Sequence, residues 1–305
     1  VIATTEYELL RESAGLVDRS ARGKLRLTGA EAADYLQGQV TNDVLALEPG
    51  TGCYAALLTH KGKMVADMRV LRGEDFVWID TEPGRLGPLV RNVSMYSIGR
   101  DVKHEDVTDG YAILSLVGPQ AREALDVAPP AEEHAFVAGE HGLYVATDVG
   151  VDVICAAADV AAVREALAVE EVSEEVADCL RIESGRPRFG IDVGNETIPQ
   201  EAGLNERAVS FTKGCYVGQE TVARLHYKGK PNRHLRGLAL AAPASTGDDV
   251  VLGERVVGQV GSAAVSPEHG PIALAILRRE AEPGASVTVG AGGIEGRVAD
   301  LPFSG

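Results

Sequence analysis

Cysteine is scarce in this chain: four residues in 305, at Cys53, Cys155, Cys179 and Cys215. None forms a Cys-x-x-Cys pair, and the spacings match no zinc or cluster motif. Four cysteines in a chain of this length exclude a disulfide framework, and a reducing, cytoplasmic setting is expected. Long apolar runs are also missing. No stretch approaches the roughly 20 residues that a membrane-crossing helix requires, and no membrane partner is expected. Residues 1–8 show no basic segment followed by an apolar one and do not read as a signal peptide.

Positive charge is the third deficit. Lys and Arg total 29 against 45 Asp and Glu, a net charge of −16. Such a surface repels phosphate backbones, and direct nucleic-acid binding is not expected. The one cationic segment holds Arg224, His226, Lys228, Lys230, Arg233, His234 and Arg236. Phosphate loops are missing too: Gly99-Arg100-Asp101 and Gly290-Ala291-Gly292-Gly293 fit neither dinucleotide nor P-loop spacing. No Ser-His-Asp elbow occurs. His60, His104, His134, His141 and His269 lie in polar stretches and read as solvated.

What is present is ample apolar content, 45% of residues, enough for two or three packed units. Alternation marks strands over 24–27, 53–58, 64–71, 76–79 and 111–117, and a hairpin over 142–156. Gly62 between the second and third of these predicts antiparallel neighbours. Thr28 followed by Glu31 reads as a capping box opening a helix through Leu36. Leu86, Leu89, Val90 and Val93 share one face of a helix over 83–95, provided Pro88 falls in its first turn. Gly118-Pro119 reads as a helix start, and Asp159 as the cap of a helix carrying Val160, Val163 and Leu167. The best-punctuated helix opens at Ser173 and stops at Gly185 and Pro187. From about Leu235, short apolar segments alternate with Gly, Pro, Ser and Asp turns, the pattern of a small all-β barrel or sandwich. The first 225 or so residues read as α+β with antiparallel strands.

Two places depart from pattern. Glu183 continues the apolar stripe of Val176, Cys179 and Leu180 near a helix C-terminus, where negative charge is disfavoured. A buried carboxylate there needs partners. It either pairs with Arg181, Arg186 or Arg188, or accepts hydrogen bonds from a bound heterocycle. The second place is Lys213-Gly214-Cys215-Tyr216-Val217-Gly218-Gln219-Glu220. Glycines on both sides let the backbone turn tightly or approach a ligand. Lys213 is close enough in sequence to favour a thiolate at Cys215, a nucleophile and soft metal ligand. The alternatives are a small buried cysteine in a packing turn, or a Cys215–His226 pair. Cys53, Cys155 and Cys179 sit inside strand or helix patterns and read as core filling.

Several stretches resemble the glycine cleavage T-protein superfamily, in order and over nearly the whole chain. They are Gly29-Ala30-Glu31, Val40-Thr41-Asn42-Asp43, Gly118-Pro119-Gln120-Ala121, Leu180-Arg181-Ile182-Glu183-Ser184-Gly185 and residues 198–204. Within that superfamily the octapeptide 213–220, with its cysteine, resembles the YgfZ branch; Val222-Ala223-Arg224 and Tyr227-Lys228-Gly229 extend the likeness. The resemblance implies an α+β T-protein-like fold: two interwoven α+β lobes around a folate channel (residues 1–230) and a C-terminal β-barrel (231–305). It implies tetrahydrofolate, or a one-carbon derivative, as cofactor. Glu183 would bond the pterin, with Asn42, Tyr216 and Arg224 completing the binding set and Cys215 and Lys213 as the reactive pair. Aminomethyltransferases carry a key aspartate near the position of Arg85 here, and an arginine stays protonated. Classical aminomethyltransferase activity is therefore not expected.

The implied function is a folate-binding accessory protein supporting iron–sulfur proteins, including those that modify tRNA, through the Cys215 thiol. Two alternatives stay open. One is a folate-dependent aminomethyltransferase or demethylase. The other is a scaffold acting through the cationic segment 224–236.

Overall fold

The computed structural model describes residues 4–303; residues 1–3 of the N-terminal stretch lie outside them. Helix α1 (Thr4–Glu12) precedes β1 (Gly15–Asp18), β2 (Gly23–Thr28) and α2 (Ala32–Gln37). Next come β3 (Thr51–Leu58), β4 (Met64–Arg72), β5 (Phe76–Thr81) and α3 (Leu86–Tyr96). Strands β6 (Lys103–Asp106), β7 (Tyr111–Val117), β8 (Phe136–Gly139), β9 (Gly142–Ala146) and β10 (Gly150–Ala156) follow. Four helices come next: α4 (Val160–Leu167), α5 (Glu174–Glu183), α6 (Asn205–Ala208) and α7 (Gln219–Lys228). The remainder is strand: β11 (Arg233–Leu240), β12 (Asp249–Leu252), β13 (Arg255–Ser266), β14 (Gly270–Arg278), β15 (Ser286–Val289) and β16 (Ile294–Ala299). No helix among the described residues is long and apolar enough to cross a membrane.

The chain forms two compact units, each assembled from separated stretches. The first, Glu8–Glu174 with Glu206–Gln219, is the sheet unit. It holds two five-stranded sheets, ordered β3-β4-β5-β2-β6 and β1-β7-β10-β9-β8, with antiparallel ladders. Strand β4 shows why both faces are covered. Its Met64, Ala66, Met68 and Val70 are fully buried, and Met68 and Val70 pack with Leu36 of α2 and Leu89 and Val93 of α3. Leu71 of the opposite face, with Trp78 of β5, packs on Ile113, Val145 and Ile154 of the other sheet. That second sheet buries its far face, including Leu114, Leu116 and Val153, against Val163 and Leu167 of α4. Each large side chain buried this way contributes about 1.5–3 kcal/mol.

The second unit, Val1–Tyr7 with Glu175–Asn205 and Glu220–Gly305, is the barrel unit. Its strands close in the order β11-β14-β13-β12-β15-β16, which leaves no open sheet edge. Alternate residues fill the interior, among them Leu238, Val250, Val260, Ala273, Ala275 and Val298.

Several local readings of the sequence change. Thr28 ends β2 and caps nothing. The helix starts at Ala32, because the Glu31 carboxylate accepts the Asp101 N–H (2.7 Å) while Asp101 in turn accepts the Ala30 N–H (3.0 Å). The capping box is thus replaced by a clasp to a distant loop. Residues 83–85 form a separate 3₁₀ turn, and Pro88 stands in the first turn of α3, where its missing N–H is not needed. After Gly118-Pro119 only a 3₁₀ turn forms, Ala121–Ala124. Asp159 precedes α4 but makes no side-chain cap hydrogen bond.

Candidate functional site

Segment 209–218 has no regular structure, yet its base is firmly held in the sheet unit. Lys213 is buried, and its ammonium donates to three carbonyls: Gln37 O at 2.6 Å, Val40 O at 2.8 Å and Asn42 O at 2.7 Å. Three protons meet three acceptors, and the charge lies at the C-terminal end of α2, where a cation is favoured. Burial still disfavours the charge and pushes the Lys213 pKa down to about 8. The Lys213 donors are all spent on the 37–42 loop, and the lysine clips the cysteine loop in place.

Cys215 itself is exposed, whereas Cys155 and Cys179 are buried and Cys53 is half-buried. Burial pushes the Cys53 thiol up to about 12, a protonated and inert state. Tyr216 is buried beside the clip, its ring 5.1 Å from the Lys213 ammonium, and burial raises its hydroxyl to about 12. Of the two flanking glycines only one is required by space. At Gly218 (φ +84°) an added Cβ would stand 2.4 Å from Thr59 O; at Gly214 it would meet nothing within 4 Å.

Asn42 ties this loop to a second group. Its Nδ2 donates to Tyr54 O (2.9 Å) and Arg207 O (3.2 Å), and its Oδ1 accepts the Asp43 N–H (2.9 Å). Both polar atoms are thus committed to backbone. The Tyr54 ring lies 5.1 Å from the Arg207 guanidinium and stacks on His134 at 6.5 Å. Its hydroxyl donates to Asp67 at 2.5 Å. Burial pushes the Asp67 carboxyl up to about 6, against the pull of that hydrogen bond. His134, expected to be solvated, is instead largely enclosed; burial, then the nearby Arg69, lowers its pKa to about 4.

Next to this group runs a buried charged seam between the two sheets. Arg69 donates to Asp80 (2.8 Å) and Asp152 (2.6 Å), Arg22 to Asp80 (2.9 Å), and Ser115 to Asp152 (2.6 Å). Burial alone would raise the Asp80 pKa, but the Arg69 and Arg22 guanidiniums outweigh it and hold the carboxyl below its ordinary value.

Glu183 belongs to the barrel unit. Helix α5 buries Val176, Cys179 and Ile182, and Glu183 closes that face at 6% exposure. Gly185, at φ +70°, ends the helix in a left-handed turn. The carboxylate accepts the Tyr7 hydroxyl (3.0 Å to Oε1, 3.1 Å to Oε2), the Ser266 hydroxyl (2.6 Å) and the Cys179 thiol (3.5 Å). Arg181, offered above as an ion-pair partner, turns to Asp178 (2.7 Å), Asp192 (3.0 Å) and Ser262 (2.5 Å). Arg188 pairs with Asp178 at 3.1 Å. Among the described residues Glu183 is a buried carboxylate served by neutral donors. Arg224 stands on α7, 70% exposed, paired with Glu220 four residues earlier at 2.7 Å.

The sequence reading missed Tyr54, Asp67, Arg69, His134, Tyr7 and Ser266. Asp67 and Arg69 did carry a signal, as charged residues alternating with Met and Val in a long strand. Tyr7 and Ser266 carried none, because only folding brings them to Glu183.

Residues 2–136 match the family model of the GCVT N-terminal domain, and residues 233–304 match that of the glycine cleavage T-protein C-terminal barrel domain. An aminomethyltransferase of Symbiobacterium thermophilum is 28% identical, over 98% of this chain and 88% of that one. The tRNA-modifying protein YgfZ of Colwellia psychrerythraea is 28% identical over 234 residues, 72% of this chain and 70% of that one. The glycine cleavage system aminomethyltransferase T of Bartonella henselae superposes with a TM-score of 0.89 at 23% identity, over 98% of this chain and 89% of that one. Two antiparallel sheets and a closed six-stranded barrel are thus the α+β T-protein fold that the sequence led us to expect. The chain belongs to the glycine cleavage T-protein superfamily.

Proposed function

We propose that this chain is a tetrahydrofolate-binding accessory protein that supports iron–sulfur cluster assembly or repair, and through it iron–sulfur-dependent tRNA modification, with the Cys215 thiol as its reactive group. The observation that carries this reading is the presentation of Cys215. It is the exposed cysteine of the four, on a loop locked at its base by Lys213. A thiol offered outward from a fixed loop suits an external partner, whereas a structural thiol faces a core. The cluster is cargo in this reading, carried by an iron–sulfur protein. The likeness to a tRNA-modifying protein supports it.

Glu183 fits the folate part. A carboxylate is an acceptor-only group, and Oε2 receives only one shared proton, from Tyr7. The N–H donors of a pterin edge match that acceptor. Asn42 has both polar atoms engaged and holds the backbone of Tyr54 and Arg207. A folate-dependent aminomethyltransferase is the second reading. Asp67, held near 6 beside Tyr54, gives it a group suited to proton transfer near neutral pH. Several relatives bear the aminomethyltransferase name. Arg85 at the expected aspartate position weighs against it.

The test is calorimetric binding of tetrahydrofolate to the wild type, Glu183→Gln and Cys215→Ser, with complementation of a deletion strain by the same variants. Glu183→Gln is expected to weaken binding by about 1–3 kcal/mol, the cost of an unmade charged hydrogen bond. Cys215→Ser is expected to bind normally and fail to complement. Full complementation by Cys215→Ser would sink the thiol reading. Turnover of a methylamine donor with tetrahydrofolate would favour the second.

A further inference from the structure

The Tyr7 hydroxyl lies almost equally far from both oxygens of Glu183, 3.0 and 3.1 Å, so one proton is shared across the whole carboxylate. That bridging position is where a carboxylate receives a ligand with two parallel N–H donors. Oε1 is already crowded by Ser266 and Cys179, while Oε2 has Tyr7 alone. A two-donor ligand can therefore reach both oxygens only where the Tyr7 hydroxyl now sits. The same hydroxyl lies 3.3 Å from Glu268 Oε2, in the turn between β13 and β14. It thus has a second acceptor within reach, and leaving Glu183 does not strand it.

We propose that Tyr7 is an internal occupant of the Glu183 site: its hydroxyl holds the two-oxygen position of the carboxylate in the free protein, and a ligand with paired N–H donors displaces it toward Glu268. The proposal rests on the reading of Glu183 as the folate-binding carboxylate. It makes Tyr7 a residue that sets affinity. A displaced hydrogen bond to a charged acceptor is subtracted from what the ligand gains, and binding is weaker than Glu183 alone would give. A purely structural Tyr7, pinning the first turn of α1 to the end of α5, has the opposite signature, because removing it loosens the carboxylate and weakens binding.

The experiment is tetrahydrofolate binding by calorimetry to the full chain as wild type, Tyr7→Phe and Glu183→Gln, with the thermal midpoint of each recorded. An NMR experiment on wild type carrying [ζ-13C]tyrosine follows the Tyr7 ring during the same titration. Tyr7→Phe is expected to bind about three- to thirtyfold more tightly, a fraction of a charged hydrogen bond, and the Tyr7 signal is expected to shift on ligand addition in the wild type. Equal or weaker binding by Tyr7→Phe, or an unmoved Tyr7 signal at saturation, overturns the proposal while leaving the folate reading intact if Glu183→Gln still weakens binding. Glu183→Gln binding as well as wild type removes the Glu183 reading and this proposal with it. Absence of binding in every variant removes both.

Discussion

Two buried carboxylates, one in each unit, are held in opposite ways. In the sheet unit Asp80 lies between two guanidiniums, Arg69 and Arg22, and Asp152 takes the second bond of Arg69. In the barrel unit Glu183 is as deeply placed but meets only hydroxyls and a thiol. A carboxylate matched by cations has its charge neutralised and its acceptor sites filled; it belongs to the architecture. A carboxylate supplied with neutral donors has no cation fixed against it. The difference separates a buried charge that joins two sheets from one held by hydroxyls and a thiol.

The largest test of that contrast is Arg69→Met. It leaves Asp152 with the Ser115 hydroxyl alone and Asp80 with Arg22 alone, and denaturant unfolding should show a loss of about 3–5 kcal/mol, as when one partner of a buried pair is removed. A loss under about 1 kcal/mol would mean that water reaches the seam and that the contrast is false. Lys213→Met is the next in size. Three carbonyls lose a donor, a cost of roughly 1–3 kcal/mol. The Lys213 pKa is about 8 folded against 10.5 ordinarily. Between those values the unfolded chain binds more protons, so its contribution is fully present above 10.5 and is lost as pH falls through about 8. Comparing wild type and Lys213→Met across that window should show the alkaline rise only in the wild type.

Smaller and opposed effects are expected from two groups around Tyr54. Asp67 is raised to about 6 from 3.8, so its contribution is present below 3.8 and is lost as pH rises through about 6. His134 is lowered to about 4 from 6.5, so its contribution is present above 6.5 and is lost as pH falls through about 4. The two nearly offset each other in the wild type between pH 4 and 6. Asp67→Asn should unmask a stability that rises with pH there, and His134→Gln one that falls; parallel profiles would refute the assigned shifts. The smallest effect on folding is expected from Cys215→Ser, within about 0.5 kcal/mol for an exposed loop position. A midpoint shift well beyond that would mean the thiol serves the fold.

The strands of the first sheet were legible because alternation is a local property: 53–58, 64–71 and 76–79 each lie within an observed strand. The break near Leu235 was legible because a run of short strands and turns changes composition, and β11 begins at Arg233. Helix starts were less so. Thr28 and Glu31 have the spacing of a capping box, but Asp101, seventy residues away, supplies the competing partner. His134 shows the same limit, since its polar neighbours in sequence suggest solvent, whereas in space Tyr54 and Arg69 lie near it.

By itself the sequence determined the α+β class, the all-β character of the C-terminal stretch, the inward turn of Glu183 and the glycine-flanked loop that carries Cys215. All of these follow from periodicity, punctuation and a motif within a few adjacent residues. Tertiary structure decided what each charged group does. Lys213 reaches three carbonyls, Arg181 turns to Asp192, and Tyr7 reaches Glu183 across 176 positions. The reason is physical: burial and pairing set the state of a charge, and both depend on groups that the chain brings together only when it folds.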